Sequence, residues 1–137
     1  MDASLKSKIV DAFRALPAGC RYPVASENEL AAFEADYAPI PPDFRWFLTT
    51  CGGGTVGCDW VDDINQLRDS HHKFNAESSA EGGWTMRDVF VIGWDGSGNP
   101  FGIHSPTGKL IVEDHDYGGA HDMAESFTDF LVGRLLS

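Results

Sequence analysis

The spacing of apolar residues changes twice along this chain, and this change limits the fold more than any other feature. Near the N-terminus, apolar residues recur every three or four positions, as they do on one face of a helix. Between residues 89 and 113 they stand in short runs with two-residue alternation, and helical spacing returns at about 123–136. Helices followed by closely connected strands are typical of an α+β fold, with helices packed on a mostly antiparallel sheet. The length of 137 residues predicts one domain over 1–137.

Turn and cap signals give limits for the early helices. The first is predicted at about 3–15, and the second follows Ser26, which has capping-box spacing to Glu29. The third is predicted at 43–50, directly after Pro42, which suits the first position of a helix. A run of three glycines ends it. We expect one of these glycines to adopt a left-handed conformation.

The region 57–83 has a weaker pattern than its surroundings. Trp60 and Val61 indicate a short strand that leads into a helical turn, and the polar stretch 71–83 predicts a loop. Three strands are predicted after it, at 89–92, 101–104 and 110–113. The first of them is apolar at every position, which indicates a strand buried on both faces.

The charge of the chain is strongly negative, at −11 from 10 basic and 21 acidic residues. Residues 1–58 hold seven acids and five bases, so the remaining −9 belongs to residues 59–137. A surface of this sign repels nucleic acid and anionic lipid, because both are bound through Lys and Arg. It attracts a cationic protein surface, which makes a protein partner the favoured one.

The sequence carries no signal for export or membrane insertion. No apolar run approaches the ~18 residues that a membrane span requires, and the N-terminal residues lack an apolar signal segment. Cys20, Cys51 and Cys58 are odd in number and lack tight spacing, so we expect reduced, buried thiols rather than a disulfide framework. These features predict a soluble cytoplasmic protein.

Two motifs resemble ligand-binding loops but lack the required context. The glycines of 52–57 spell G-x-G-x-x-G, yet they follow a predicted helix instead of opening one, which indicates a turn and no cofactor. Asp95, Ser97 and Asn99 alternate like the start of a calcium loop. The sixth loop position is Pro100 where such a loop needs glycine, so a hairpin connection is expected.

The most metal-like cluster is formed by Asp114, His115 and Asp116, with His121 and Asp122 nearby. If Asp114 and Asp116 continue the preceding strand, they share one face and His115 points to the other. Such side chains do not converge on one ion without a bulge. We therefore expect a solvated acidic turn and no metal site.

Several tryptophans lie at or near glycine-containing turns, namely Trp60, Trp84 and Trp94. A tryptophan in such a place is more often partly exposed than one in the middle of an apolar run. Partly exposed tryptophans are typical anchors of protein interfaces.

Four segments in a fixed order resemble the SUKH superfamily, which includes the yeast cell-wall-synthesis regulator. They are Pro41-x-x-Phe44-x-x-Phe47-Leu48, Gly52-Gly53, Ile92-Gly93-x-Asp95-Gly96-x-Gly98 and Ser126-Phe127-x-x-Phe130-Leu131. The resemblance covers about residues 26–136. It implies an α+β fold with helices against a largely antiparallel sheet. It also implies a binding role, since bacterial relatives commonly act as immunity proteins that neutralise toxins, and it brings no catalytic residues.

Together these features predict a non-enzymatic immunity-type protein, a monomer or weak dimer, that binds a basic toxin domain such as a nuclease. The candidate partner-binding residues are Asp59, Trp60, Asp62, Asp63, Trp94, Asp95, Asp114 and Asp116. A regulatory scaffold of the same fold is one alternative. A small metal-dependent hydrolase built on 114–116 and His121 is another.

Overall fold

The computed structural model describes residues 1–116 and 118–137, which form helices and one antiparallel sheet. The helices are α1 (Ala3–Arg14), α2 (Glu27–Asp36), α3 (Pro42–Thr50), α4 (Ile64–Ser78) and α5 (Phe127–Leu135). The strands are β1 (Arg21–Tyr22), β2 (Gly53–Val56), β3 (Asp59–Val61), β4 (Val89–Trp94), β5 (Pro100–His104), β6 (Leu110–Glu113) and β7 (Ala120–Ala124). The predicted α+β fold is confirmed.

The strands follow one another across the sheet in chain order, each antiparallel to its neighbours. Most neighbouring strands of this meander have short connections, and the two long ones contain α2 and α3, between β1 and β2, and α4, between β3 and β4. Trp60 of β3 lies opposite Trp94 of β4, and the register between β4 and β5 shifts at Val91 and Gly93. The shift is a bulge, which bends β4 close to its C-terminal end.

The early helices begin and end where their cap signals predict. The Ser26 hydroxyl accepts a hydrogen bond from the Glu29 backbone N–H at 3.2 Å, and the Glu29 carboxylate accepts one from the Ser26 N–H at 3.0 Å. Pro42 is the first residue of α3, and Gly52 follows that helix with a φ of +93°. A side chain at Gly52 would be strained in this conformation, which explains the glycine there.

The main core lies between the helices and one face of the sheet. The helices contribute large buried side chains, namely Ile9, Phe13, Leu30, Phe33, Phe44, Phe47, Leu48, Leu67, Phe127, Phe130 and Leu131. Along β4, Phe90 and Ile92 join this core, whereas Val91 joins a second, smaller cluster with Phe74 and Met86. The prediction of a strand buried on both faces is confirmed, because neighbouring residues of a strand point to opposite faces.

The prediction of a loop over 71–83 is wrong, because α4 continues to Ser78. Asp63 and Gln66 form a capping box that starts this helix. Ser70 and His71 are buried on its inner side, each with less than a tenth of its surface exposed. Polar residues at these two positions interrupt the apolar spacing, and the sequence pattern therefore resembles that of a loop.

The predicted start of the last helix, at about residue 123, is also wrong. The chain forms β7 over Ala120–Ala124, and α5 begins at Phe127 after Ser126, whose hydroxyl accepts a hydrogen bond from the Asp129 N–H at 3.0 Å. Strand β7 is polar and largely exposed at the edge of the sheet, so it carries no apolar alternation. Strands β1 and β2 were not predicted either, since one has two residues and the other begins with two glycines.

The cysteines are free thiols, as expected, but only Cys51 is buried. Burial raises the pKa of the Cys51 thiol to about 11. Cys20 is half-buried and Cys58 is exposed in the turn between β2 and β3, which corrects the expectation that all three lie in the interior.

Candidate functional site

A cleft of about 390 Å³ opens where β1, β3 and β4 meet α4. Three aromatic side chains line it, Tyr22, Trp60 and Trp94, and three ionisable ones, Asp62, Asp69 and Lys73. The cleft therefore combines apolar ring surface with more acidic than basic groups. We refer to it below as the aromatic cleft.

The aromatic side of this cleft is built by the register of the sheet. Because Trp60 and Trp94 are paired across β3 and β4, their side chains lie on the same face. Trp60 is 45 % exposed, and its ring stacks on that of Tyr22 with 6.1 Å between centroids. A Cβ atom at Gly93 would lie 2.1 Å from the Trp60 carbonyl oxygen, so only glycine lets the two strands approach here.

Asp62 supplies a buried carboxylate in the cleft, with 7 % of its surface exposed. Ser70 of α4 donates its hydroxyl hydrogen to Asp62 Oδ2 at 2.5 Å, and Trp94 Nε1 donates to the Ser70 oxygen at 3.0 Å. Burial raises the pKa of Asp62 to about 7, the Ser70 bond opposes this rise, and the charges of Asp63 and Asp69 add to it. The hydrogen-bonded chain holds the carboxylate and the indole in a fixed relation.

The second carboxylate oxygen, Asp62 Oδ1, accepts no hydrogen bond from any residue that the structure describes. Two side-chain atoms of the described chain are fully buried without a hydrogen-bond partner, Thr55 Oγ1 and Ser78 Oγ. Asp62 Oδ1 is not one of them. Because Asp62 lines the cleft, this oxygen remains accessible from it. It is a ready acceptor for a donor that enters the cleft.

Lys73 already places a cation at this site. Its Nζ lies 4.1 Å from the centroid of the Trp94 ring, a distance at which a cation is attracted by the ring face. Lys73 itself is exposed. The Trp94 ring is thus partly covered from within the chain, while the Trp60 ring remains open to solvent.

The structure brings three of the residues predicted from the sequence into this cleft, Trp60, Asp62 and Trp94. Asp63 has another position: it is 5 % exposed, and its Oδ1 accepts a hydrogen bond from the Gln66 N–H at 2.8 Å as the cap of α4. Asp59 is 8 % exposed and lies 3.7 Å from Arg134 Nη2. Burial raises the pKa of Asp59, and the nearby Arg134 lowers it.

The other predicted acids lie in turns. Asp95 Oδ1 accepts hydrogen bonds from the backbone N–H groups of Ser97 and Asn99, both at 2.9 Å, so the predicted hairpin connection is confirmed. Asp114 Oδ1 accepts one from the Asp116 N–H at 2.8 Å in the turn that follows β6. Among the described residues that line the aromatic cleft, Asp95, Asp114 and Asp116 are not found.

Sequence reasoning missed the residues that α4 contributes to the cleft. These are Gln66, Asp69, Ser70 and Lys73. Their spacing of three, four and seven positions is that of one helix face. The signal was present in the sequence, but it required α4 to be predicted as a helix. Tyr22 gave no comparable signal, since it belongs to a strand of two residues.

The metal-like cluster does not converge. His115 Nδ1 lies 2.5 Å from Asn99 Oδ1, and His115 Nε2 lies 3.2 Å from Asp116 Oδ1. His121 is exposed on β7. In the chain outside residue 117, no three His, Cys, Asp or Glu side chains are grouped so that they could hold a metal ion. No observation in the described structure therefore favours the hydrolase alternative.

A larger cavity of about 820 Å³ lies on the other side of α4, with His71 in its lining. His71 Nε2 donates to the Val91 carbonyl oxygen at 2.8 Å, and its ring packs on Phe90 with 4.5 Å between centroids. Burial lowers the pKa of His71. These contacts account for His71 as a packed, neutral side chain that fastens α4 to β4.

Glu113 is a second buried acid that sequence reasoning did not single out. Its carboxylate accepts hydrogen bonds from the backbone N–H groups of Thr85 and Met86, each at 2.7 Å. These bonds fix the segment between α4 and β4 against β6. Glu113 therefore has a structural task.

A model of the SMI1 / KNR4 family (SUKH-1) matches residues 24–133, which is most of the chain. No curated protein matches the chain. Among the helices described, none is long and apolar enough to cross a membrane.

Proposed function

The chain belongs to the SMI1 / KNR4 family (SUKH-1), and on this premise we propose that it is an immunity-type protein that neutralises a toxin by binding to it. The superfamily resemblance supports this role, because bacterial relatives commonly neutralise toxins. The proposed partner is a basic toxin domain, and the proposed site of action is the cytoplasm. The protein acts as a monomer or weak dimer and performs no chemistry of its own.

The observation that carries this proposal is the exposed aromatic surface of Trp60 beside acidic groups. Trp60 is 45 % exposed at the aromatic cleft, while most other large apolar side chains of the described chain are buried. Tryptophan is the residue type that most often dominates the binding energy of protein interfaces. An exposed indole beside a carboxylate is suited to a partner that presents apolar and basic groups together.

The negative charge supports a nuclease or another phosphate-binding enzyme as the toxin. Such an enzyme holds phosphate groups with Lys and Arg, and its active face is therefore basic. Asp69 and Asp116 are exposed acids, and Asp95 and Asp114 are half-exposed. These charges accelerate the encounter with a basic face, and the bound protein then excludes the substrate.

Co-expression with the product of an adjacent gene, tested first for toxicity on its own, tests the proposal. We expect the two proteins to co-purify and the cells to survive, and we expect Trp60→Ala to abolish both effects. Leu136→Ala is the matched control, because Leu136 is another large apolar residue with an exposed side chain, 37 % of it, and does not line the aromatic cleft. Absence of a complex, with unchanged toxicity, would refute the proposal.

Two other outcomes would favour the alternatives. A growth defect after deletion of the gene, in cells that contain no toxin, would support a regulatory scaffold. A rise in melting temperature with a divalent cation, lost in Asp114→Ala, would support the metal-dependent hydrolase.

A further inference from the structure

The aromatic cleft offers a carboxylate oxygen as a hydrogen-bond acceptor. Asp62 Oδ1 accepts no hydrogen bond from a described residue, although its carboxylate is buried. This oxygen is not among the fully buried unpartnered atoms of the described chain, so it is an acceptor open to the cleft rather than a sealed, unsatisfied one. A group with N–H or O–H bonds that enters the cleft can therefore donate a hydrogen bond to Asp62 Oδ1.

The electrostatics of the cleft favour a cation over a neutral donor or an anion. Asp69 lies on the rim, and its charge acts on Asp62 together with that of Asp63. In the described structure, neither Asp62 nor Asp69 forms an ion pair. Lys73 is the one cation in the lining, and it is placed over Trp94 rather than on a carboxylate.

The aromatic groups favour a planar cation with an apolar stem. Trp60 is largely exposed, and its ring stacks on that of Tyr22. A guanidinium group stacks on such a ring and at the same time donates several hydrogen bonds in one plane, whereas an ammonium group acts as a point charge. Asp62 Oδ1 and the Asp69 carboxylate offer separate acceptors for such a fork.

From this geometry we propose that the aromatic cleft receives one arginine side chain of the protein partner, which stacks on Trp60 and donates to Asp62. This inference rests on the proposed function only in taking the partner to be a protein. The arginine is the anchor of the interface, since its charge is removed from water only in the complex. Its loss from the partner therefore weakens the complex more than the loss of a rim charge does.

The recognition step can be tested without the partner. N-acetyl-arginine amide and N-acetyl-citrulline amide have the same shape, and only the first is charged. At about pH 8, where most Asp62 carboxyl groups are ionised, we expect the arginine compound to shift the indole N–H signals of Trp60 and Trp94 in NMR spectra, with a dissociation constant in the millimolar range, at about −4 kcal/mol. The citrulline compound should bind at least tenfold more weakly.

Two variants locate the binding. Asp62→Asn keeps an acceptor for the Ser70 hydroxyl, so the fold is retained, and we expect about a tenfold loss of affinity for the arginine compound. Asp116→Asn is the control and should bind like the unaltered protein, because Asp116 does not line the cleft. An unchanged Trp94 indole signal before titration shows that the Asp62→Asn cleft is intact.

The proposal is overturned if the two compounds bind equally, if neither binds, or if Asp62→Asn binds the arginine compound unchanged. Equal binding would instead identify the cleft as a site for neutral polar ligands. None of these results bears on co-purification with the toxin, so the arginine anchor and the proposed function fail separately.

Discussion

Ser70 of α4 and Asp62, the residue that follows β3, are joined by a hydrogen bond of 2.5 Å between the serine hydroxyl and the carboxylate Oδ2. This bond fastens the helix to the sheet at the inner side of the aromatic cleft. It is also one half of a relay, because the same serine oxygen accepts the indole N–H of Trp94. A stabilising contact and a candidate recognition group therefore share one carboxylate, and this gives the site its own dependence on pH.

Asp62→Asn should stabilise the fold at alkaline pH and not at acid pH. The folded-state pKa of about 7 lies above the ordinary value of 3.8, so between these values the folded chain holds a proton that the unfolded chain has lost. The contribution of Asp62 to the free energy of unfolding therefore falls as pH rises through this window. The variant should gain up to about 4 kcal/mol at about pH 8 and nothing at about pH 4, by urea unfolding.

The groups that face Asp62 remain in the variant, namely the carboxylates of Asp63 and Asp69, with Lys73 and Tyr22 also in the cleft region. Asp116→Asn serves as the control and should show no comparable gain. A gain for Asp62→Asn that is the same at every pH would contradict the assignment of the titration to this residue.

Gly93→Ala should destabilise the protein and disturb the cleft together. A Cβ atom there would lie 2.1 Å from the Trp60 carbonyl oxygen and 2.7 Å from the Phe101 ring, so β3 and β4 would have to separate. We expect a loss of about 3 kcal/mol in the free energy of unfolding and a changed Trp60 indole signal. Gly96→Ala, whose Cβ meets nothing within 4 Å, should alter stability by less than about 0.5 kcal/mol. Similar losses in both variants would count against this close approach.

The cysteines should differ in reactivity. Cys58 is exposed, whereas Cys51 is buried with its pKa raised to about 11, and the thiolate is the reactive form. Iodoacetamide at about pH 8, followed by peptide mapping, should label Cys58 first and Cys51 only under unfolding conditions. Rapid labelling of Cys51 in the folded protein would contradict the burial of its thiol.

Binding of the basic partner should depend on salt mainly through the rate of association. The exposed acids act over distances that salt screens, about 10 Å at 0.1 M, whereas the buried Asp62 is screened much less. Stopped-flow mixing at increasing NaCl should show a falling association rate, and Asp116→Asn should lower the rate at low salt. Asp62→Asn should instead raise the dissociation rate. An association rate that does not respond to salt would exclude steering by these charges.

The sequence predicted the parts of the fold whose signals are local. The Ser26 and Glu29 capping box, Pro42 and the apolar runs of β4, β5 and β6 gave the correct elements, because a cap or a periodic face is encoded within a few residues. The predictions for the segments of β7 and α4 were wrong, because polar residues stand there in place of an apolar pattern.

The candidate site could be predicted only in part. Trp60 and Trp94 stand beside glycine turns and were recognised as partly exposed. The sequence predicts Asp59, Asp62 and Asp63 as partner contacts, but the structure buries all three and gives each a different task. Charge in a sequence predicts the sign of a surface; it does not tell which carboxylates lie on that surface.

By itself, the sequence determined the first three helices, the antiparallel run of β4, β5 and β6 and the negative charge, because local spacing and composition suffice for these. Only the tertiary structure decided that Tyr22, Asp62, Ser70 and Trp94 meet in one cleft. These residues are up to 72 positions apart, as the numbers 22 and 94 show. Their meeting depends on strand register, on a bulge and on how α4 lies against the sheet, and long-range packing sets all three.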